Sequence, residues 1–146
     1  MQVEVKVDAS YQPTKVLILT DEMTEQINEL VRHITQSKPS VLVGFQDERV
    51  SVLDLDDIVR FYAANQKVYA VVADQEYVIR LRLYELEERL RATDFVRISN
   101  AEIINLKKIR GFDLSFSGTI CVQFHDGSTS YASRRYVAKI KQTLGL

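Results

Sequence analysis

The chain has few of the residues that mark disulfide-rich, linker-rich or membrane-spanning proteins. Its 146 residues include one cysteine, Cys121, so no disulfide can form within the chain. A single thiol fits the reducing cytoplasm, where we expect the protein to reside. Two prolines and five glycines exclude a long low-complexity linker. No apolar run approaches the roughly 20 residues that span a bilayer, so we expect no membrane partner.

Motifs for catalysis are equally scarce. Neither His33 nor His125 has a partner at metal-ligand spacing. Cys121 and His125, four residues apart in a strand, would lie roughly 13 Å from each other and could not share a proton directly. Both common phosphate-loop motifs are absent from the sequence. The acidic residues 54–57 are better interpreted as a capped turn before a strand than as a magnesium or phospho-acceptor site. We therefore expect no enzyme, no metal and no cofactor.

Residues 1–40 predict a small β-β-α extension. Valines alternate with polar residues over residues 2–8, and residues 15–20 (KVLILT) form a continuous apolar and β-branched run, so both segments favour strands. A helix follows and ends before Pro39. Its predicted apolar stripe consists of Met23, Ile27, Leu30, Val31 and Ile34. This stripe must bury against the protein's own sheet or against a second copy of the chain.

Residues 41–146 form a second domain of short strands and tight turns. Apolar segments of about five residues alternate with turn residues along most of this range, including Asp126-Gly127. A short helix is predicted over residues 84–91, and a last helix begins after Ser133 and ends at Gly145. The predicted fold class is therefore α+β, mostly β, with antiparallel sheets, short helices and the preceding β-β-α extension.

Positive charge is concentrated in the C-terminal part of the sequence. Residues 1–93 hold 11 Lys/Arg against 16 Asp/Glu, a balance of −5, whereas residues 94–146 hold 8 against 4, a balance of +4. With Ser133 as a helix N-cap, Arg134 and Arg135 oppose the helix dipole at a cost on the order of 0.3–1 kcal/mol each. An anion site explains this placement, since free N–H groups and guanidinium groups then point at one spot. Two solvated surface arginines are the alternative.

Two segments of the sequence carry a specific motif: residues 95–109 (FVRISNAEIINLKKI) and residues 133–141 (SRRYVAKIK). Both resemble the signature of the LytTR family of DNA-binding domains. Between them, Gly118-Thr119-Ile120 and Asp126-Gly127-Ser128 keep the hairpin spacing of the family. The resemblance covers about residues 45–146. It implies an elongated, mostly β domain that regulates bacterial transcription by placing loops in the major groove of double-stranded promoter DNA.

The resemblance also implies which residues contact DNA. One group lies in a loop between strands, a second in a bend after a strand, and a third at the start of the last helix, with two lysines further along that helix as phosphate contacts. These residues are Asn65, Gln66 and Lys67; Ser99 and Asn100; Ser133, Arg134 and Arg135; and Lys139 and Lys141. Asn105 matches a position that is better explained by turn structure. Paired DNA sites would also suit a homodimer.

Two other functions remain open at the level of sequence. A non-enzymatic protein-interaction or ligand-sensing β module would use the apolar stripe for a partner and would not retard DNA. A small hydrolase would need a pocket built around Cys121 or an acid pair, which the spacing of these residues gives no reason to expect.

Overall fold

The computed structural model describes residues 1–35, 40–114 and 119–145, which fall into two units, Met1–Ser37 and Lys38–Leu146. No helix among these described residues is long and apolar enough to cross a membrane. The helices are α1 (Glu25–Thr35), α2 (Leu83–Arg89) and α3 (Arg134–Leu144). The strands are β1 (Val41–Gln46), β2 (Arg49–Asp54), β3 (Ile58–Ala64), β4 (Lys67–Val72), β5 (Gln75–Ile79), β6 (Phe95–Ser99), β7 (Glu102–Asn105), β8 (Ile109–Asp113), β9 (Ile120–Phe124) and β10 (Thr129–Ala132).

The N-terminal unit contains the predicted helix but not the two predicted strands. At the start of α1 the Thr24 hydroxyl accepts a hydrogen bond from the Ile27 N–H, as an N-terminal cap does. Residues 1–24 form no strand, so this part of the β-β-α prediction is wrong. Alternation supplies an apolar face, but a strand also needs a neighbour for its backbone N–H and C=O groups, and a lone strand pair is only marginally stable in water. Helix α1 has no fully buried residue, and Ile27 and Leu30 of the predicted stripe are partly buried.

The C-terminal unit is built on two antiparallel sheets. Seven strands are arranged in the order β2-β1-β5-β4-β3-β7-β6, and three more in the order β10-β9-β8. The prediction of a mostly β fold with short helices is confirmed. Gly118, which belongs to the expected hairpin spacing, lies outside the described residues, although β8 and β9, which flank it, do pair with each other. Gly145 ends α3 in the left-handed conformation with φ 74°, as predicted.

Apolar side chains cover both faces of the seven-stranded sheet. On one face Phe61 and Ile103 belong to a cluster that includes Leu86 and Leu90 of the α2 region. On the other face Ile104 belongs to a cluster that includes residues of β9 and α3. Strand β7 is therefore buried at every position, which explains why its apolar residues are adjacent and do not alternate with polar ones.

Two short polar side chains shape the turns that precede β3 and β8. Asp54 accepts a hydrogen bond from the Asp56 N–H at 2.9 Å and thereby caps a single 3-10 turn, so the acidic residues 54–57 form the predicted capped turn. Asn105 does the same with the Lys107 N–H at 3.0 Å. Only 1% of Asn105 is exposed, and its amide also donates to the Ile58 carbonyl at 2.8 Å. The interpretation of Asn105 as a structural residue is confirmed.

A polar cluster joins the two sheets. Arg60 of β3 donates to Glu102 of β7 at 2.8 Å, and the Ser130 hydroxyl of β10 donates to both oxygens of the same carboxylate. The Arg60 guanidinium also lies 5.9 Å from the centre of the Phe124 ring of β9. Because the Glu102 side chain is 9% exposed, its charge depends on these two donors for solvation.

Replacement of Glu102 by alanine tests this cluster. We expect a loss of about 2 kcal/mol in the free energy of unfolding, because a hydrogen-bonded charge is removed and Arg60 is left without its carboxylate. Urea unfolding measures the change. The matched control is Glu88→Ala, which breaks an exposed glutamate–arginine pair and should cost less than about 0.5 kcal/mol. Equal losses in the two variants would contradict the structural role of Glu102.

Candidate nucleic-acid interface

The first group of expected contact residues occupies the tight turn between β3 and β4. Asn65 and Gln66 have φ values of 52° and 61°, and they form a two-residue turn that Lys67 closes opposite Ala64. Asparagine tolerates this left-handed conformation better than most residues, because its short side chain can hydrogen-bond locally. Asn65, Gln66 and Lys67 are all exposed, so this turn is available to a ligand.

The second group lies beside the first. Strand β3 pairs with β7 so that Tyr62 is opposite Glu102, and the Ala63 N–H continues this ladder by donating to the Ala101 carbonyl at 2.8 Å. This bond holds the β3–β4 turn next to the β6–β7 turn, which contains Ser99 and Asn100. The Ser99 hydroxyl accepts a hydrogen bond from the Ala101 N–H at 3.2 Å, and Asn100 is exposed.

Arg97 fixes the backbone of the β6–β7 turn. Its Nε donates to the Ser99 carbonyl at 3.0 Å, its Nη2 to the Asn100 carbonyl at 2.8 Å, and its Nη1 to Glu87 of α2 at 2.8 Å. The side chain is only 14% exposed. Sequence reasoning did not identify this role. The available signal was an arginine between apolar residues of a strand, downstream of a helix rich in glutamates, because a half-buried arginine needs a carboxylate.

Glu87 connects this turn to the last helix. Besides Arg97 it pairs with Lys139 of α3, whose Nζ lies 3.6 Å from its second oxygen. The hydrogen bond from Arg97 holds the pKa of the Glu87 carboxyl below its ordinary value of 4.5, with a smaller contribution from Lys139. Lys139, expected as a phosphate contact, is thus engaged with a carboxylate of the protein itself.

The third group forms the start of α3. Ser133 is the extended N-cap residue, and its side chain makes no capping hydrogen bond. The Ser133 N–H donates to the Ile98 carbonyl at 2.9 Å, and the Tyr136 hydroxyl donates to Asn100 Oδ1 at 3.2 Å, so the helix start lies against the second turn. Arg134 and Arg135 are exposed. Lys141 follows Arg135 by six residues, about 9 Å along the axis and roughly 120° around it, and so lies apart.

Three exposed cations belong to this surface. Among the residues that the structure describes, the ion pairs involve other side chains, and Lys67, Arg134 and Arg135 have no carboxylate partner. The described residues also contain no cluster of three or more His, Cys, Asp or Glu side chains that could hold a metal ion. The chemistry of this surface is therefore that of hydrogen-bond donors and positive charge.

The pH dependence of the β6–β7 turn tests the role of Glu87. The pKa of Glu87 is lowered in the folded protein. The stabilisation that its ionised carboxylate provides is therefore complete above pH 4.5 and is lost as the pH falls through the lowered pKa of the folded state. We expect the amide resonances of Ser99 and Asn100 to stay constant from pH 7 to 4.5 and to shift below that range. In Glu87→Gln they should already be shifted at pH 7. The neighbouring Glu88→Gln is the matched control and should leave these resonances unchanged. Identical spectra for Glu87→Gln and wild type would contradict this role.

Comparisons with known proteins show the family and the fold. The model of the LytTr DNA-binding domain matches residues 48–145. Two of the similar proteins, from Staphylococcus aureus strains NCTC 8325 / PS 47 and N315, are named uncharacterized HTH-type transcriptional regulators; each is 29% identical over 147 residues, which cover 100% of this chain and 99% of the relative. The LytTr DNA-binding domain of a Bacillus cereus protein shares the fold with a TM-score of 0.71 at 18% identity, over 74% of this chain and 99% of that one. The chain therefore belongs to the LytTR family of DNA-binding domains.

Proposed function

We propose that the protein is a non-enzymatic transcriptional regulator that binds double-stranded DNA and reads its sequence with two turns and the start of a helix. The observation that carries this proposal is the continuous surface made by the β3–β4 turn, the β6–β7 turn and the N-terminus of α3. Hydrogen bonds from the Ala63 N–H to the Ala101 carbonyl and from Tyr136 to Asn100 hold the three segments together. Membership of a DNA-binding family supports the choice of ligand.

The exposed side chains of this surface divide into two roles. Lys67 and Arg134 neutralise phosphates and fix the position of the protein on the duplex. Arg135 and Asn100 both contact Tyr136, Arg135 at its ring and Asn100 at its hydroxyl. Both side chains reach base edges in the major groove, where arginine donates to guanine N7 and O6. The first-turn N–H groups of α3 and the Ser133 hydroxyl are further donors to a phosphate.

Few phosphates are neutralised in this arrangement. With two or three contacts, the logarithm of the affinity should fall with the logarithm of salt concentration with a slope of about −2 to −3. Lys139 is occupied by Glu87 and Lys141 lies apart, so neither is needed for this slope. The specific contacts at Arg135 and Asn100 then carry much of the discrimination between sequences.

The same proposal includes a homodimer in the cytoplasm. The apolar side chains of Met23, Val31 and Ile34 in the N-terminal unit are exposed, and an apolar stripe of this kind is a candidate surface for a second copy. Sedimentation velocity over a range of concentrations measures the mass in solution. A monomer at every concentration, with and without DNA, would contradict the homodimer and leave the DNA-binding proposal standing.

The change Arg135→Ala tests the base contact. We expect a loss of about 1–3 kcal/mol in binding to the promoter DNA upstream of the protein's own gene, together with relaxed sequence preference. Fluorescence anisotropy with labelled duplexes across a salt series measures both. The matched control is Arg91→Ala, which removes an equally charged, exposed side chain outside this surface. If Arg135→Ala binds like the control, the assigned contact is wrong. If the wild-type protein shows no selective binding at any salt concentration, the protein-interaction module becomes the better function.

A further inference from the structure

The side chain of Asn100 has a defined orientation. A carboxamide has an acceptor oxygen at one end and two N–H donors at the other, and an unconstrained asparagine can turn either end toward a ligand. In this structure the Tyr136 hydroxyl donates to Asn100 Oδ1 at 3.2 Å, across 36 residues of sequence. The oxygen is therefore directed to α3, and Nδ2 is directed away from Tyr136.

Neighbouring groups hold Tyr136 in this position. The guanidinium carbons of Arg97 and Arg135 lie 5.9 and 5.6 Å from the centre of its ring, within the range of a cation–π contact. Arg97 is itself fixed by Glu87 and by the carbonyls of Ser99 and Asn100. The phenol hydroxyl, the backbone of Asn100 and the guanidinium of Arg97 thus form one connected unit, in which the orientation of the Asn100 amide is set before a ligand arrives.

We propose that Tyr136 is a specificity-determining residue, which makes Asn100 a hydrogen-bond donor toward DNA. This inference rests on the proposed function and deepens it. Adenine is read by asparagine through two bonds, one from the adenine N6–H to Oδ1 and one from Nδ2 to N7, so both ends of the amide must face the base. Because Oδ1 is held by Tyr136, only the Nδ2 end of the amide faces the base, and it can bond only to an acceptor. Guanine N7 or O6 and thymine O4 fit such a donor; adenine N7 is also an acceptor, but the neighbouring N6–H of adenine would lose the partner that Oδ1 gives it.

The ring and the hydroxyl of Tyr136 contact different residues, so their roles can be tested separately. Its ring contacts Arg135, the residue assigned to guanine, whereas its hydroxyl contacts only Asn100 among the described side-chain bonds. Tyr136→Phe removes the hydroxyl and keeps the ring. A change in sequence preference in this variant therefore reports on the orientation of Asn100 and not on the position of Arg135.

The test uses the full chain and four sets of duplexes that differ at one base pair. That pair is identified as the position where Asn100→Ala loses its preference in a selection from a randomised operator library. For the wild type we expect about tenfold weaker binding when adenine replaces the preferred base. In Tyr136→Phe the amide can rotate, so this ratio of affinities should fall to about twofold or less. Tyr84→Phe, an exposed tyrosine at the start of α2, is the matched control and should keep the wild-type ratio.

Asn100→Asp provides a second test, which keeps the hydrogen bond from Tyr136. The carboxylate still accepts from Tyr136 but has no donor for the base, so preference should move to cytosine, whose N4 amine donates. The role of Tyr136 would be overturned if the wild type preferred adenine, or if Tyr136→Phe kept the wild-type preference. In either case, selective DNA binding by the wild type would still uphold the proposed function. Absence of selective DNA binding by the wild type overturns both.

Discussion

The ion pair between Arg60 and Glu102, completed by the Ser130 hydroxyl, is the constraint on which the C-terminal unit depends. It joins two neighbouring strands of the large sheet to β10 of the small one. A buried charge is tolerated only when its partners are in place, so the pair selects one register of β3 against β7. A slip of one residue would exchange the two faces of β7, and Ile103 and Ile104 would each enter the wrong core. The register then sets Ala63 opposite Ala101, and with them the two turns of the candidate interface.

The interface is preorganised by bonds within the protein. The β3–β4 turn has left-handed residues at both central positions, Arg97 holds two carbonyls of the β6–β7 turn, and the N-terminus of α3 is bonded to Ile98 and Asn100. The conformational entropy of these segments is lost on folding and not on binding, which favours affinity per contact. In the proposed function, loops perform the recognition that other DNA-binding proteins assign to a helix, and a rigid sheet determines the geometry of these loops.

The sequence predicted most of the C-terminal unit, and its failures have physical causes. Alternation and turn residues predicted the strands, and the cap at Asp54 and the role of Asn105 followed from local hydrogen bonding. The prediction of strands within residues 1–20 was wrong, because an apolar pattern does not supply a neighbouring strand with which to pair. The two turns of the site were expected from family resemblance alone, whereas Arg134 and Arg135 were also indicated by their placement against the helix dipole. The bonds of Arg97, Tyr136 and Lys139 join residues 10 to 52 positions apart, and local pattern carries no information on such pairs.

The charge arrangement limits the sequence-independent part of DNA binding in this protein, whose net charge is −1. Non-specific affinity comes from neutralising phosphates, so every exposed cation strengthens binding to all sequences alike. Here the single negative charge of Glu87 pairs with both Arg97 and Lys139 beside the interface, so these three groups together contribute one net positive charge to this general attraction and not two. The remaining exposed cations lie on turns and a helix end whose positions are fixed. Because this electrostatic term is the same for every sequence, it cancels from the ratio of specific to non-specific binding, and in the proposed function oriented contacts such as that of Asn100 set this ratio.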